Sequence, residues 1–529
     1  MTGRITRLTA ALAATAVAAL PAVAAPPPAQ ASGLLGGLVS TVGTVLDTTV
    51  TGVVGVVGAL VPTGWLFDDS VTTLADARAA VGADTLIGHG YDGSGVGVAL
   101  LDTGVVGVPG LSSGNVVNGP DLSFESQSPA WAHLDTFGHG THMAGIIAGN
   151  DPSTGFRGIA PRARLTSLKL ASSDGAVDVS QVIAGLDWVV QHRNDDPRNP
   201  IRVVNLSFGT DGAQSYQVDP LTHAVENAWR AGLVVVVAGG NDGGALDNPA
   251  YDPYVLAVGA ADPAGTPRLT SDDTVPDFSA RGSATRRVDV VAPGRSVASL
   301  RDPGSYLDLA YPGARSGSQL FKGSGTSQAA AVVSGAVALL LDQRPGLSPD
   351  QVKALLRSTA SPLPRADSAG RGAGEINVAA AAAAVVPAGA TQSWPRSQGI
   401  GSLEQARGTS HVADGDVELT GEQDILGPWN AAAWASASSA GRAWSGGAWM
   451  GRTWTGSCAC DTTWSGATWS VAPWAGRSWA GRSWAGRSWA SRSWAGRSWA
   501  GDGWAGRSWA GRSWAGRSWA AAGSPGPGS

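Results

Sequence analysis

Four short motifs hold the residues of this 529-residue chain whose types could do chemistry together. Asp102 closes the apolar run VGVALLDTG, His139 lies in TFGHGTHMAGIIAG, Asn241 follows VVVVAGG, and Ser327 lies in GSGTSQAAAVVSG. A serine hydroxyl is a weak nucleophile until an adjacent base takes its proton, and an imidazole titrating near neutrality is such a base. A carboxylate and a carboxamide are the groups that orient an imidazole and stabilise an oxyanion. Carboxylate, imidazole, carboxamide and hydroxyl are thus a set fit for acyl transfer. Standing alone, a serine that opens a helix reads as an N-cap. It does not stand alone here.

Two other readings of the same residues fail on spacing. A DTG sequence also marks aspartic proteases, which need two such aspartates sharing a proton, and this chain has one DTG and no second DTG or DSG. His139 and His142 are three apart in HGTH, but no H-E-x-x-H arrangement and no third ligand accompany them. His142 is expected to be a structural residue of a helix, and His89, His133, His192 and His223 to lie on the surface.

The elements that must carry these residues are readable from texture. Residues 96–104, 203–209, 233–241 and 254–260 are continuous apolar runs of the kind that form parallel strands buried on both faces. Helical patterns over 179–192 and 221–231 alternate with them, which predicts an α/β fold with a doubly wound, mostly parallel sheet. In such sheets functional residues gather beyond the carboxyl ends of the strands. The glycines flanking His139 permit close backbone approach, and a long apolar helix follows Ser327 behind a glycine-rich turn.

DTG, HGTHMAG and GTSQAAAVVSG, in the chain order Asp, His, Ser, resemble the subtilases, the subtilisin-like serine proteases. The resemblance runs from about Asp84 to Val386, from GADTLIGHGYDGSGVGVALLDTGV at one end to INVAAAAAAV at the other. It implies a secreted serine endopeptidase acting on polypeptides through an acyl-enzyme. Ser327 would be the nucleophile, His139 the general base and Asp102 the residue that orients it. Asn241 would donate to the oxyanion beside the Ser327 N–H, where the helix dipole also helps. Ser207, Phe208 and Gly209 align with the strand that lines the substrate cleft, and Ala238, Gly239 and Gly240 with a pocket wall. The family's M-A-A-P-H after the serine is replaced by Gln328, Ala329, Ala330, Ala331 and Val332, a change in packing and helix geometry that leaves the four chemical groups in place. No cofactor is expected. Structural calcium stays open, since many relatives hold it although no D-x-D-x-D-G loop occurs here. The competing class is a surface-binding or adhesion protein using a protease-like scaffold, against which the complete set of chemical groups argues.

The remainder of the chain divides by composition. Arg4 and Arg7, an apolar run over residues 8–20 and Ala29-Gln30-Ala31 make a secretory signal over residues 1–31. Residues 32–83 read as a short leader or pro-segment, 84–386 as the peptidase domain and 387–428 as a polar, locally acidic connector. The two cysteines, Cys458 and Cys460, are too close for a comfortable bridge and match no zinc spacing. Seventeen of the 22 Trp share one five-residue frame from Trp429 to Trp519, so 429–529 is a repeat tail. It carries ten Arg, no Lys and two Asp, a balance of +8 against −5 for the whole chain, which leaves −13 on residues 1–428. A five-residue step gives neither helix nor long strand a single apolar stripe, so the expectation is an extended or disordered array, with a square solenoid as the ordered alternative. Its partners would be an anionic cell-wall polymer, a glycan or a membrane surface, unless it is only a spacer. Export sets nucleic acid aside as the working ligand.

Overall fold

The computed structural model describes residues 70–127, 131–414 and 417–453, together with 463–464 and 467–468. The signal sequence, most of the leader, both cysteines and the repeats from Trp469 onward lie outside the described residues.

Seven strands form one parallel sheet: β1 (Gly97–Asp102), β2 (Val116–Asp121), β3 (Arg164–Lys169), β4 (Ile201–Leu206), β5 (Val234–Ala238), β6 (Leu256–Ala261) and β7 (Val290–Pro293). Their order is β2-β3-β1-β4-β5-β6-β7, so the winding reverses beside β1 and the strand bearing Asp102 sits at the switch point. Every residue of β1, β5, β6 and β7 is buried, which is why these strands are continuous apolar runs without alternation.

The helices that frame the site are α1 (Leu74–Ala80), α2 (Ala83–Gly88), α3 (His139–Ala148), α4 (Val179–His192), α5 (Pro220–Arg230), α6 (Thr326–Gln343), α7 (Pro349–Ser358) and α8 (Val378–Ala383). Their starts follow local chemistry. Asp178 and Gln181 form a capping box on α4, and Asp219 caps α5 ahead of a proline in its first turn. Consecutive strand residues point to opposite faces. Gly185 of α4 lies against the Leu101 side chain, whereas Ser334 of α6 donates to Asn205, which is level with Leu100 in the register. The α4 layer and the nucleophile-bearing helix α6 therefore cover opposite faces of the sheet.

The folded body is larger than the 84–386 read from the sequence. At its start, α1 buries Leu74 and Ala77, and Thr72 pairs with Val297. At its end, residues 387–453 pack back onto the body instead of leaving it. Among its described residues this segment contains α9 (Leu403–Arg407), α10 (Ala431–Ser439) and seven two-residue strands, the last three of which are β8 (Trp444–Ser445), β9 (Ala448–Trp449) and β10 (Arg452–Thr453). Arg407 is fully buried and binds the Asp178 carboxylate at 2.6 Å, so the α4 cap is also the anchor of the extension. The first repeats are likewise inside the fold. Trp434 and Trp449 both donate their indole N–H to Asp187 of α4 at 2.9 Å, Ser438 donates at 2.5 Å, and Trp444 donates to Ala184 O at 2.8 Å. Trp429 stacks on Trp449 with ring centroids 6.0 Å apart. The expectation of an extended array thus fails for residues 429–453, whereas the connector before it carries short strands, Ala413–Asp414, Val417–Glu418, Gln423–Asp424 and Gly427–Pro428. The pentad is accommodated by two-residue strands joined by two-residue turns, with positive φ at Gly446, Gly447, Met450 and Gly451. His223, expected at the surface, is buried beneath this segment and bonds Ser397 O and Ser439 Oγ at 2.8 and 2.9 Å.

Candidate active site

Asp102 ends β1 and His139 opens α3, and the two meet as Nδ1···Oδ1 at 2.5 Å. Both are buried. The Asp102 carboxylate also accepts the Thr103 N–H at 2.8 Å, and Thr103 Oγ1 accepts from Gly140 N at 2.8 Å. Gly140 is required: a Cβ there would stand 2.0 Å from Gly104 O. Burial raises the Asp102 carboxyl well above its ordinary value, with the Thr103 amide opposing, and lowers the His139 imidazole well below its ordinary value. The imidazole is therefore uncharged at neutral pH, the form that can accept a proton.

Asp135 was not anticipated from sequence, yet it organises this corner. Its Oδ1 accepts from Gly138 N and Thr103 Oγ1, and its Oδ2 from Thr141 N, each at 2.7 Å. A buried carboxylate thereby satisfies the first turn of α3 and ties it to the end of β1. The available signal was an acid just ahead of a helix start.

Ser327 occupies the second position of α6, where orphan N–H groups and the helix dipole favour negative charge. Its Oγ is buried and has no hydrogen-bond partner among the described residues. A directional relay holds its backbone. Ser334 Oγ donates to Asn205 Oδ1 at 2.9 Å, Asn205 Nδ2 donates to Ser207 Oγ at 3.0 Å, and Ser207 Oγ donates to Ser327 O at 3.3 Å. Because β1 and β4 are neighbours with Leu101 level with Leu206, Asp102 and Ser207 end adjacent strands side by side. The Asp102–His139 pair and the Ser207–Ser327 pair therefore stand next to each other at the carboxyl edge of the sheet. Asn205, a lone carboxamide in the run VVNL, is a second residue missed in the sequence.

Asn241 follows β5. Its Oδ1 accepts Thr326 N at 2.8 Å and Thr326 Oγ1 at 3.0 Å. A backbone N–H can only donate, so this contact fixes the amide orientation and makes Nδ2 the donating end. Gly240 N in turn donates to Thr326 Oγ1 at 3.2 Å, tying the end of β5 to the start of α6. The segments expected to line a cleft, Ser207, Phe208 and Gly209 after β4 and Ala238, Gly239 and Gly240 at the end of β5, lie along neighbouring strands, with Leu206 level with Val237. All ten sequence-derived residues thus gather at one edge of the sheet. Among the described residues no three His, Cys, Asp or Glu side chains are grouped to hold a metal ion, and no helix is long and apolar enough to cross a membrane.

Comparisons with known proteins show the family. The Subtilase family model matches residues 93–401, more than half of the chain. Serine protease AprX of Bacillus subtilis (strain 168) is 38% identical over 300 residues, covering 55% of this chain and 66% of that protein. Subtilisin DY of Bacillus licheniformis is 35% identical over 306 residues, covering 57% of this chain and 95% of that protein. A solved structure described as a cold adapted subtilisin-like serine proteinase is 31% identical, covers 54% of this chain and 88% of its own, and has a TM-score of 0.41. The chain belongs to the subtilase family, a family of serine-type endopeptidases.

Proposed function

We propose that this chain is a secreted endopeptidase in which Ser327 attacks the scissile carbonyl while His139 takes its proton. His139 then returns that proton to the leaving amine, and water repeats the sequence on the acyl-enzyme. Asp102 keeps Nδ1 protonated and leaves Nε2 as the base. Asn241 Nδ2 and the Ser327 N–H stabilise the oxyanion. The observation that carries this reading is the Asp102–His139 bond at the end of β1, with Ser327 held at the end of the neighbouring strand. A fluorophosphonate probe tests it. Labelling of the purified protein that disappears in Ser327→Ala, together with cleavage of a casein substrate, is expected. An unlabelled protein that cleaves nothing would leave the adhesion reading in its place.

Extracellular location is supported by the signal-like residues 1–31 and by the subtilisins among the relatives. The basic Trp repeat is read as an anchor to an anionic envelope polymer or membrane surface. A tail peptide that fails to retain a reporter protein on cell envelopes at low salt would overturn that second statement alone.

A further inference from the structure

Gln328 follows the nucleophile at the third position of α6, and its carboxamide takes no part in the chemistry of the four motif residues. The side chain is fully buried, and among the described residues neither Oε1 nor Nε2 has a hydrogen-bond partner. Asn205 and Gln181, equally buried, have partners at both ends of their amides. A buried amide without partners costs stability at its donor and its acceptor alike. The methionine that the family resemblance leads one to expect here would fill similar volume without that cost.

The two helices of the site fix where this amide lies. α3 and α6 both start at the carboxyl edge of the sheet, with His139 and Ser327 in their first turns. Farther along they touch. A Cβ on Gly335 of α6 would stand 2.6 Å from Ile159 Cβ and 3.4 Å from Ile147 O of α3, and Ile159 N donates to Ile146 O at 2.8 Å. The helices therefore run side by side in the same direction. Gln328 precedes Gly335 by seven residues, about two turns, so it lies on the same side of α6 and faces the His139 end of α3. Helical side chains lean toward their own N-terminus, which carries the amide back toward the site. Its polar atoms are as buried as Ser327 Oγ, an atom that substrate must reach. The expected cleft walls meet α6 elsewhere, through Ser207 after β4 and Asn241 after β5, and β1 with Asp102 lies across β4 from β5. The α3 side of Ser327 is thus the side of the imidazole that protonates the leaving amine.

We propose that Gln328 is a further catalytic residue that acts in deacylation, where its Oε1 accepts one hydrogen of the attacking water while His139 takes the other. The inference rests on the endopeptidase reading. In that step the water oxygen bonds to the acyl carbon and one water proton passes to His139. Collapse of the oxyanion then breaks the bond to Ser327 Oγ, which takes that proton from the imidazole. The second hydrogen stays on the new acid and needs an acceptor in the seam between the helices, which an amide oxygen supplies. Water, unlike the leaving amine, arrives with no chain to hold it in place. An acceptor beside His139 therefore matters most in this half of the reaction.

The test compares the full natural chain with Gln328→Met on a p-nitrophenyl ester, limited by deacylation, and on a matched anilide, limited by acylation. On the ester, Gln328→Met should lower kcat and KM together by about tenfold, the worth of one hydrogen bond, with kcat/KM holding and a burst of nitrophenol. The anilide should lose far less. The melting temperature, measured in a Ser327→Ala background, should rise because an unpaired buried amide is gone. An ester kcat equal to the natural one, or a loss shared equally by ester and anilide, would overturn the proposal. So would a melting temperature that falls with the rate, which would mark Gln328 as packing. Fluorophosphonate labelling of Ser327 separates the two levels. A labelled enzyme with unaltered deacylation in Gln328→Met refutes the role of Gln328 alone, and an unlabelled natural chain refutes the endopeptidase reading beneath it.

Discussion

Two buried carboxylates anchor the two most informative regions of this protein, and they do so in different ways. Asp102 accepts one imidazole and one backbone N–H at the carboxyl edge of the sheet. Asp187 accepts two indoles and a hydroxyl on the α4 layer, with no cation bonded to it among the described residues. Both are pushed up by burial, Asp187 to about 6. Asp102 faces a group that changes protonation during a reaction. Asp187 faces donors that never titrate, so its role is adhesive. The same side chain in equal burial thus serves chemistry or packing according to what it touches.

Substitutions in the two regions should separate along that line. Ser327→Ala should lower kcat on the order of 10⁶-fold, a magnitude carried over from a subtilisin, with little effect on thermal unfolding. A loss of that size accompanied by a collapsed melting curve would break the distinction. Asn241→Ala should lower kcat about 10²- to 10³-fold, again on a subtilisin's scale, while KM holds. Asp187→Asn should do the reverse. Both indoles share Oδ2, so the amide carbonyl can keep them, but its NH₂ then faces the Ser438 hydroxyl that donated to Oδ1, and a buried donor left unsatisfied costs about 1–3 kcal/mol. The expected outcome is a lower melting temperature and early proteolytic release of residues 429–453, measured in a Ser327→Ala background to prevent self-digestion, with unchanged kcat/KM in the active form.

The two smallest effects concern pH. An Asp187 carboxyl raised from its ordinary 3.8 to about 6 binds a proton more tightly when folded than when unfolded. Its contribution to stability is therefore full below the ordinary value, declines as pH rises through about 6, and is level above that. Asparagine does not titrate, so the gap in melting temperature between the natural chain and Asp187→Asn should narrow from about pH 4 to about pH 7. At the other carboxylate the readout is rate. Burial lowers His139, so the acid limb of kcat/KM should fall below the ordinary imidazole value of 6.5. A limb above that value would mean that the Asp102 charge outweighs burial in setting the imidazole.

The sheet and the four chemical residues were legible because each has a local signature. Buried parallel strands are long apolar runs, and the glycine after His139 is demanded by the backbone, since a Cβ on Gly140 would stand 2.0 Å from Gly104 O. The groups that hold those residues were not legible, because their partners are remote in sequence. Asn205 meets Ser334, and Asp135 meets Thr103, only after the fold has formed. Asp187 read as one acid in the run VIAGLDWVV, since nothing local announces that two indoles from the end of the chain will meet it. Over the first repeats the five-residue period was hard to read for a different reason. Neither a helix nor one long strand nor a square solenoid anticipates what residues 444–453 do, which is to form strands of two residues with glycine-bearing turns.

The distance in sequence between Asp187 and Trp449 is 262 residues, and it bears on how the molecule is assembled. A chain made from its amino terminus completes α4, β4, the Asn241 turn and α6 before the first docking tryptophan exists. All four reacting groups can therefore meet while the outer surface of α4 is still bare, with Asp187 in water and free to ionise. Removal of that carboxylate from solvent by residues 429–449 must then follow the assembly of the site. A ribosome-bound chain ending near residue 428 would be the form in which the site is complete and its far side is still open.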